Sequence, residues 1–243
     1  MRGCTLRRGA VSPVFVALVA LVSFAAALPC WGAFPERPVR IIVPFPPGGG
    51  SDTLARVLAK ELQRLWGQSV VIENRGGAQG SIGTAFGVKQ PPDGYTITLV
   101  VHGALAINPH LQGKDVGFDV QKDMVALVRA TEQFFVVVSK LDLPVRNLQE
   151  LVDTAKSRTA KLSLGTSASG PQLVGELFKQ TSGIDLTNVP FNGGGPATQA
   201  ILGGHVDLSI SNPGGIMQHI LSGKVRGIAV LGNARIPLIP DVP

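Results

Sequence analysis

The chain has 243 residues, 44% of them apolar and 16% charged, a balance that argues for a packed globular core and against disorder. Its formal charge is +6, but three of the 22 Lys and Arg (Arg2, Arg7 and Arg8) sit at the extreme N-terminus; without them 19 basic residues face 16 acids, a net +3. No basic cluster with interleaved aromatics remains, so a nucleic-acid partner is not expected.

In chain order, the first 33 residues have the outline of a secretory leader: arginines, then an apolar run from Val11 to Leu28, with no acid before Glu36. Cleavage is expected after Ala27, within Ala25-Ala26-Ala27, or after Ala33, a site weakened by Trp31. The alternative is an uncleaved anchor, since the run approaches spanning length; Pro13 and the small residues at its end weigh against that. Cys4 leaves with the leader and Cys30 lies at or before the mature start, so no disulfide is expected.

Beyond the leader, VRIIVPF (Val39 to Phe45) has the unbroken apolar character of a strand buried on both faces, and TLARVLAKELQRLW carries apolar residues at helical spacing. QSVVIEN follows as a strand, SIGTAFGVKQ as a helix stopped by Pro91-Pro92, and YTITLVV as a third strand. Strand, helix, strand, helix, strand implies parallel pairing with right-handed crossovers. HGALAINPHL and the long stretch from Phe118 to Lys140 break the rhythm, which resumes with a helix over LQELVDTAKS. Then come KLSLG, a helix over PQLVGELFKQTSG, the strand TNVPF, a helix over PATQAILGG, the strand VDLSISN, a helix over GGIMQHILSGK and the strand VRGIAVLG. The pattern predicts an α/β protein of two lobes, with a boundary between Val101 and Ala106 and a return near Lys224.

Three glycine-rich junctions lie after strands and before helices: Gly48-Gly49-Gly50, Gly165 to Gly170, and Gly193-Gly194-Gly195. In parallel α/β sheets ligands bind at such junctions, and helix-start amides favour an anion. None of these loops contains Lys or Arg, so an anion would be held by amides, hydroxyls and water. At about 1.5 to 3 kcal/mol for each hydrogen bond to a charged group, four or five supply the roughly 8 kcal/mol of micromolar binding after ordering costs. Plain connecting turns are the competing reading of any one loop.

Catalytic patterns fit less well. GTSASG has serine where the second glycine of a G-x-S-x-G nucleophile elbow belongs, although Ser167 remains the residue a hydrolase would use. Glu73 lies where a ribose-binding acid of a dinucleotide fold would, but GGGSD is not G-x-G-x-x-G, and no Gly-Lys-Ser/Thr follows for a P-loop. His102, His110, His205 and His219 form no metal-ligand spacing; His102 stands apart because it closes a predicted strand at the lobe boundary. Ser51 and Asp52 are candidate N-caps of the first helix, and capping is a commoner role for Asp52 than base catalysis.

FPERPVRIIVPFPPGGGSDTLAR, VVIENRGGAQGSIGT, PPDGYTITLV, AINPHL, GELFKQTSGIDLTNVPFNGGGPA, ILGGHVDLSISN and LIPDVP together resemble the periplasmic solute-binding proteins of tripartite tricarboxylate transporters, the TctC or Bug family. The resemblance covers essentially everything after the leader. It implies a periplasmic-binding-protein-like fold of type II, a two-lobed Venus flytrap, with residues 34–102 and 225–243 in lobe one and 103–224 in lobe two. It further implies a monomer in the periplasm that takes a small carboxylate, uses no cofactor or metal, catalyses nothing, and serves the permease subunits of a membrane transporter.

Carried over by residue, the first gripping loop falls on Phe45 to Asp52, with Pro47, Gly48 and Gly49 at the ligand and Asp52 shaping the loop; the segment Ala78 to Gly80 lies beside it. The resemblance places the second lobe's contacts on Thr166, Ser167 and Ala168, on Phe191, Asn192 and Gly193, and on the segment Gly103 to Pro109; His102, at the lobe boundary, is a further candidate contact. Gln172 stands where the family commonly has histidine, and Phe191 and Asn192 replace tyrosine and lysine. Relatives continue past PDVP, so a first lobe incomplete at its C-terminus, with exposed apolar surface, is expected, and a non-functional truncated paralogue is the alternative to a working receptor.

Overall fold

The computed structural model describes residues 34–132, 134–157 and 161–243. The expected leader, with Cys4 and Cys30, lies outside the described residues. Arg37–Pro243 form one compact unit.

Val39–Val43 (β1) is the central strand of a three-stranded parallel sheet, flanked by Val70–Asn74 (β2) and Thr96–Thr98 (β3). Val39, Ile42 and Val43 are fully buried, as a strand covered on both faces requires. Between β1 and β2 runs Gly50–Trp66 (α1), whose Ala55, Ala59, Leu62 and Trp66 recur at helical spacing and pack with Ile41, Val43 and Phe45. It stops at Gly67, which takes the left-handed conformation and donates its N–H to Gln63 O. Ser81–Val88 (α2) returns the chain from β2 to β3.

After β3 the chain forms a π-helical turn at Gly103–Ile107 and the short helix Asn108–Gln112 (α3). The second sheet has five strands: Phe135–Ser139 (β4), Leu162–Thr166 (β5), Leu186–Pro190 (β6), Leu208–Ser211 (β7) and Arg226–Leu231 (β8), in the order β6-β5-β7-β4-β8. Its helices are Leu148–Ser157 (α4), Ser169–Ser182 (α5), Gly194–Leu202 (α6) and Pro213–Leu221 (α7). β6, β5 and β7 run parallel and repeat the β2-β1-β3 arrangement of the first sheet. β4 is antiparallel to both β7 and β8.

That last pairing corrects the expected lobe boundary. The segment 225–243 was assigned to lobe one, yet β8 lies at the edge of the second sheet, with Phe135 opposite Leu231 and Ser139 opposite Arg226. Packing explains the placement. Ile228 is fully buried among Val137, Leu208 and Ile210, and Arg226 Nη1 donates to the carbonyls of Leu143 (2.7 Å) and Val145 (3.2 Å). The tail folds back onto the same strand, with Val230 N–H donating to Pro243 O at 2.6 Å.

Other boundaries also move. α1 begins at Gly50, so Gly49 is its N-cap, while Ser51 and Asp52 lie inside the helix and do not cap it. β3 ends at Thr98, and His102 precedes a helical turn instead of closing a strand. Exposed apolar side chains occur at Val125 (87%), Leu127 (73%) and Val128 (81%), in the stretch before β4.

Candidate functional site

The loops that follow β1, β5, β6 and β7 at their C-terminal ends meet where the two sheets adjoin. Gly49 lies so close to the third glycine loop that a Cβ there would stand 3.3 Å from Gly194 N and 3.4 Å from Gly195 N. A Cβ at Gly195 would be 2.4 Å from Pro47 O, and one at Gly50 would be 3.2 Å from Asn212 Cβ. The absence of side chains therefore lets two backbones from opposite sheets touch. Gly193, at φ +114°, adopts a conformation that suits glycine and packs against Phe45 and Pro46.

One carboxylate fixes the first loop. Asp52 Oδ2 accepts from Gly48 N–H (3.1 Å) and Arg56 Nε (2.9 Å), while Oδ1 accepts from Arg56 Nη2 (3.1 Å) and Asn74 Nδ2 (3.0 Å). Asn74 Nδ2 also donates to Phe45 O at 3.0 Å, tying the end of β2 to the loop. Burial alone would push the Asp52 carboxyl up; the hydrogen bonds from Arg56, Gly48 and Asn74 outweigh it and hold the group below the ordinary carboxylate range. Asp52 is the third residue of the helix and reaches back past the N-cap Gly49 to the amide of Gly48.

A second polar cluster joins the sheets farther along. Gln79 Nε2 donates to Gln172 Oε1 (3.0 Å), and Ser169 Oγ donates to Gln79 Oε1 (2.5 Å) and to Asn108 Oδ1. Asn108 Nδ2 donates to Ser81 Oγ (2.8 Å) and Gln79 O (3.2 Å). Asn108 and Ser169 are buried. Ala78 (φ 45°) and Gln79 (φ 55°) are the described non-glycine residues with positive φ, a conformation that costs of order 1 to 3 kcal/mol each and collects at functional sites.

The structure draws together many of the expected site residues. Phe45, Gly49, Gly80, Gly103, Thr166, Ser167 and Gly193 are buried at this junction, and Ala168 packs against the first core. Gly80 faces the Phe45 ring, and Gly103 lies against Gly170 and Ser169. Thr166 Oγ1 donates to Asn188 Oδ1 (2.8 Å), and the Phe191 ring covers Gly165. Pro47, Gly48, Ala78, His102 and Asn192 are exposed. Gln79 lies in the expected segment Ala78 to Gly80, Asn108 in the segment Gly103 to Pro109 and Ser169 in the junction Gly165 to Gly170, but none of the three is singled out by sequence, because their partners on other elements are up to 93 residues away; Asn212 lies outside the expected segments.

The dinucleotide alternative finds no support in the geometry. Glu73 is held by Arg40 Nη1 (3.1 Å) and Arg75 Nε (2.5 Å), which engages both oxygens a ribose would need. Among the described residues no group of three or more His, Cys, Asp or Glu is arranged to hold a metal ion. Two surface hollows, about 590 Å³ beside Arg56, Lys60 and Arg64 and about 620 Å³ beside Pro109 and Phe118, lie on α1 and around 105–123 and not at the glycine contact.

What the junction does present is helix N-termini. α1, α5, α6 and α7 all begin there, and the amides of a first turn lack intrahelical partners and carry partial positive charge. Residues 45–50, 166–170, 191–195 and 212–215 contain no Lys or Arg. Such a site is built to receive an anion on backbone donors.

Known proteins resemble this chain in sequence and fold. Residues 54–243 match the family model for the tripartite tricarboxylate transporter family receptor, TctC. The protein BugT of Bordetella pertussis is 36% identical over 237 residues, covering 96% of this chain and 71% of BugT. Among solved structures, the periplasmic binding protein BugD superposes with a TM-score of 0.78 at 34% identity, covering 86% of this chain and 70% of BugD. A Rhodopseudomonas palustris protein with adipate gives 0.83 at 33% identity (86% and 71% covered), and MatC from the same organism with bound malate gives 0.76 at 30% (86% and 72%). The fold is that of a type II periplasmic binding protein, and the chain belongs to the TctC family of tripartite tricarboxylate transporter receptors, the Bug proteins.

Proposed function

We propose that this chain is an exported, non-enzymatic receptor that closes two jaws on a small carboxylate and passes it to the permease subunits of a tripartite tricarboxylate transporter in the periplasmic membrane face. The observation that carries this reading is the meeting of four helix N-termini from both sheets around a glycine contact free of Lys and Arg. One carboxylate fits that supply of backbone donors; a cation or a neutral sugar does not use it. The adipate and malate of the two relatives point to the same ligand class.

The jaws are the two sheets with their helices, β8 counted with the second, and residues 1–33 act as the cleaved leader. The protein works as a monomer and without a cofactor. Closure is a hinge motion that brings Gly48-Gly49-Gly50 and Gly193-Gly194-Gly195 together over the ligand, and the contact between them is the closed arrangement. Thermal unfolding in the presence of mono-, di- and tricarboxylates, neutral sugars and cationic amines tests the class. At a ligand concentration one hundred times Kd, stabilisation of about 2.7 kcal/mol is expected for a carboxylate. A rise in melting temperature with sugars or amines and with no carboxylate contradicts the reading.

A further inference from the structure

We propose that Asn74 is a positioning residue of the binding site: its side-chain amide holds the first glycine loop in its gripping shape before any ligand arrives, so that a carboxylate does not have to order the loop itself. The inference rests on the carboxylate reading above and names the side chain that prepares one jaw for it.

The glycines that let this loop touch the third glycine loop also leave it without stiffness of its own, because a glycine backbone is permissive. Asn74 supplies the restraint from outside. It is the last residue of β2, opposite Val43 at the end of β1, and Arg75 after it donates its N–H to Val43 O at 2.8 Å, so its backbone is fixed by the sheet. Its Nδ2 carries two protons and gives one to each end of the loop. One goes to Phe45 O (3.0 Å), where the chain leaves β1, and the other to Asp52 Oδ1 (3.0 Å), in the first turn of α1. Both partners are oxygens that only accept, so the amide nitrogen and not its oxygen faces the loop.

Arg56 cannot stand in for it. The Arg56 guanidinium pairs with the same carboxylate, but it sits on the helix that Asp52 belongs to and moves with that helix. Asn74 comes from a different element and therefore ties both the loop and the helix start to the sheet. Through Asp52 the restraint reaches the glycines, since Asp52 Oδ2 accepts from Gly48 N–H. That bond engages the Gly48 amide and leaves the helix-start amides after it for an anion. Order built in beforehand raises affinity, because binding no longer has to fix the loop backbone.

Isothermal titration of the full chain with adipate and with malate, wild type against Asn74→Leu and Asn74→Asp, tests the assignment at about pH 8 and about pH 5, below the melting temperature of each protein by circular dichroism. Asn74→Leu keeps the size and removes both donors, and it is expected to bind at least about tenfold more weakly than the wild type at both pH values. Asn74→Asp puts a second carboxyl beside Asp52: ionised, it repels; protonated, it restores one donated bond. The charged groups on the elements packed around position 74 are Asp52 and Arg56 of α1, Arg40 of β1, and Glu73 and Arg75 beside it, the last three paired together. The like charge of Asp52 raises the pKa of the new carboxyl, so Asn74→Asp is expected to lose at least about tenfold at about pH 8 and to come within about threefold of the wild type at about pH 5. Comparison at the same pH cancels the titration of the ligand, and a merely structural role would leave the deficit independent of pH. A deficit below about threefold in folded Asn74→Leu, or one in Asn74→Asp that is the same at both pH values, overturns the role of Asn74 while the carboxylate reading stands. A wild type that binds neither these acids nor any other carboxylate overturns both.

Discussion

Asp52 shows how one side chain shapes the first glycine loop. Its carboxylate is buried, accepts from Gly48 N–H and Asn74, and is neutralised by Arg56, which is more than half exposed. A group whose pKa is lower folded than unfolded stabilises the fold fully above its unfolded value, and that contribution is lost as pH falls through the folded value. Acidification below about pH 4 is therefore expected to loosen the first jaw. Asp52→Asn should cost about 1 to 3 kcal/mol at pH 7 and should flatten the loss of melting temperature between about pH 4 and 2.5. Melts of both proteins across that range check it; parallel curves would remove Asp52 from this role. Sequence alone marks Asp52 as a helix-start residue but not as the clamp on Gly48, because the clamp depends on α1 starting at Gly50. Gln79 and Asn108 are harder to read from sequence: their partners come from other elements, 61 to 93 residues away for those on α5.

Among elements, the strands are legible where the environment is uniform. β1 reads as buried because both its faces are covered, and α1 because its apolar residues keep one helical face. β8 reads correctly as a strand but not as to its sheet, since either sheet accepts an apolar run and only the Ile228 packing and the Arg226 carbonyl bonds decide. The second sheet has its own electrostatic staple. Asp207, at the entry to β7, accepts from Ser163 N–H and Oγ (2.8 Å each) and pairs with Lys140 Nζ (3.0 Å), joining the elements β5, β7 and β4. Burial raises its pKa, and the Ser163 and Lys140 contacts more than reverse that, so it too is held low and adds stability that disappears in acid. Asp207→Ala is expected to cost about 2 to 3 kcal/mol and about 5–10 °C of melting temperature. Unfolding in urea measures it, and a loss below about 0.5 kcal/mol would show that the staple is ornamental.

At the scale of the whole molecule, the two sheets repeat one strand order and turn the C-terminal ends of their parallel strands toward each other. In the proposed function, a ligand at that meeting point would be held by helices of both, and its binding energy would then act directly on the closed state. Two lobes were legible from the alternation of strands and helices; that the first and third glycine loops touch was not, because nothing in either loop's sequence names its partner. Gly49 is the point where grip and closure coincide: a side chain there meets the backbone of Gly194 and Gly195. The most direct measurement is isothermal titration of the wild type and of Gly49→Val with a panel of small carboxylates. The wild type is expected to bind at least one acid with a Kd in the micromolar range, about 8 kcal/mol, and Gly49→Val, still folded by circular dichroism, to lose at least about a hundredfold of that affinity. A wild type that binds no carboxylate, or a Gly49→Val variant that binds as tightly as the wild type, would contradict the account.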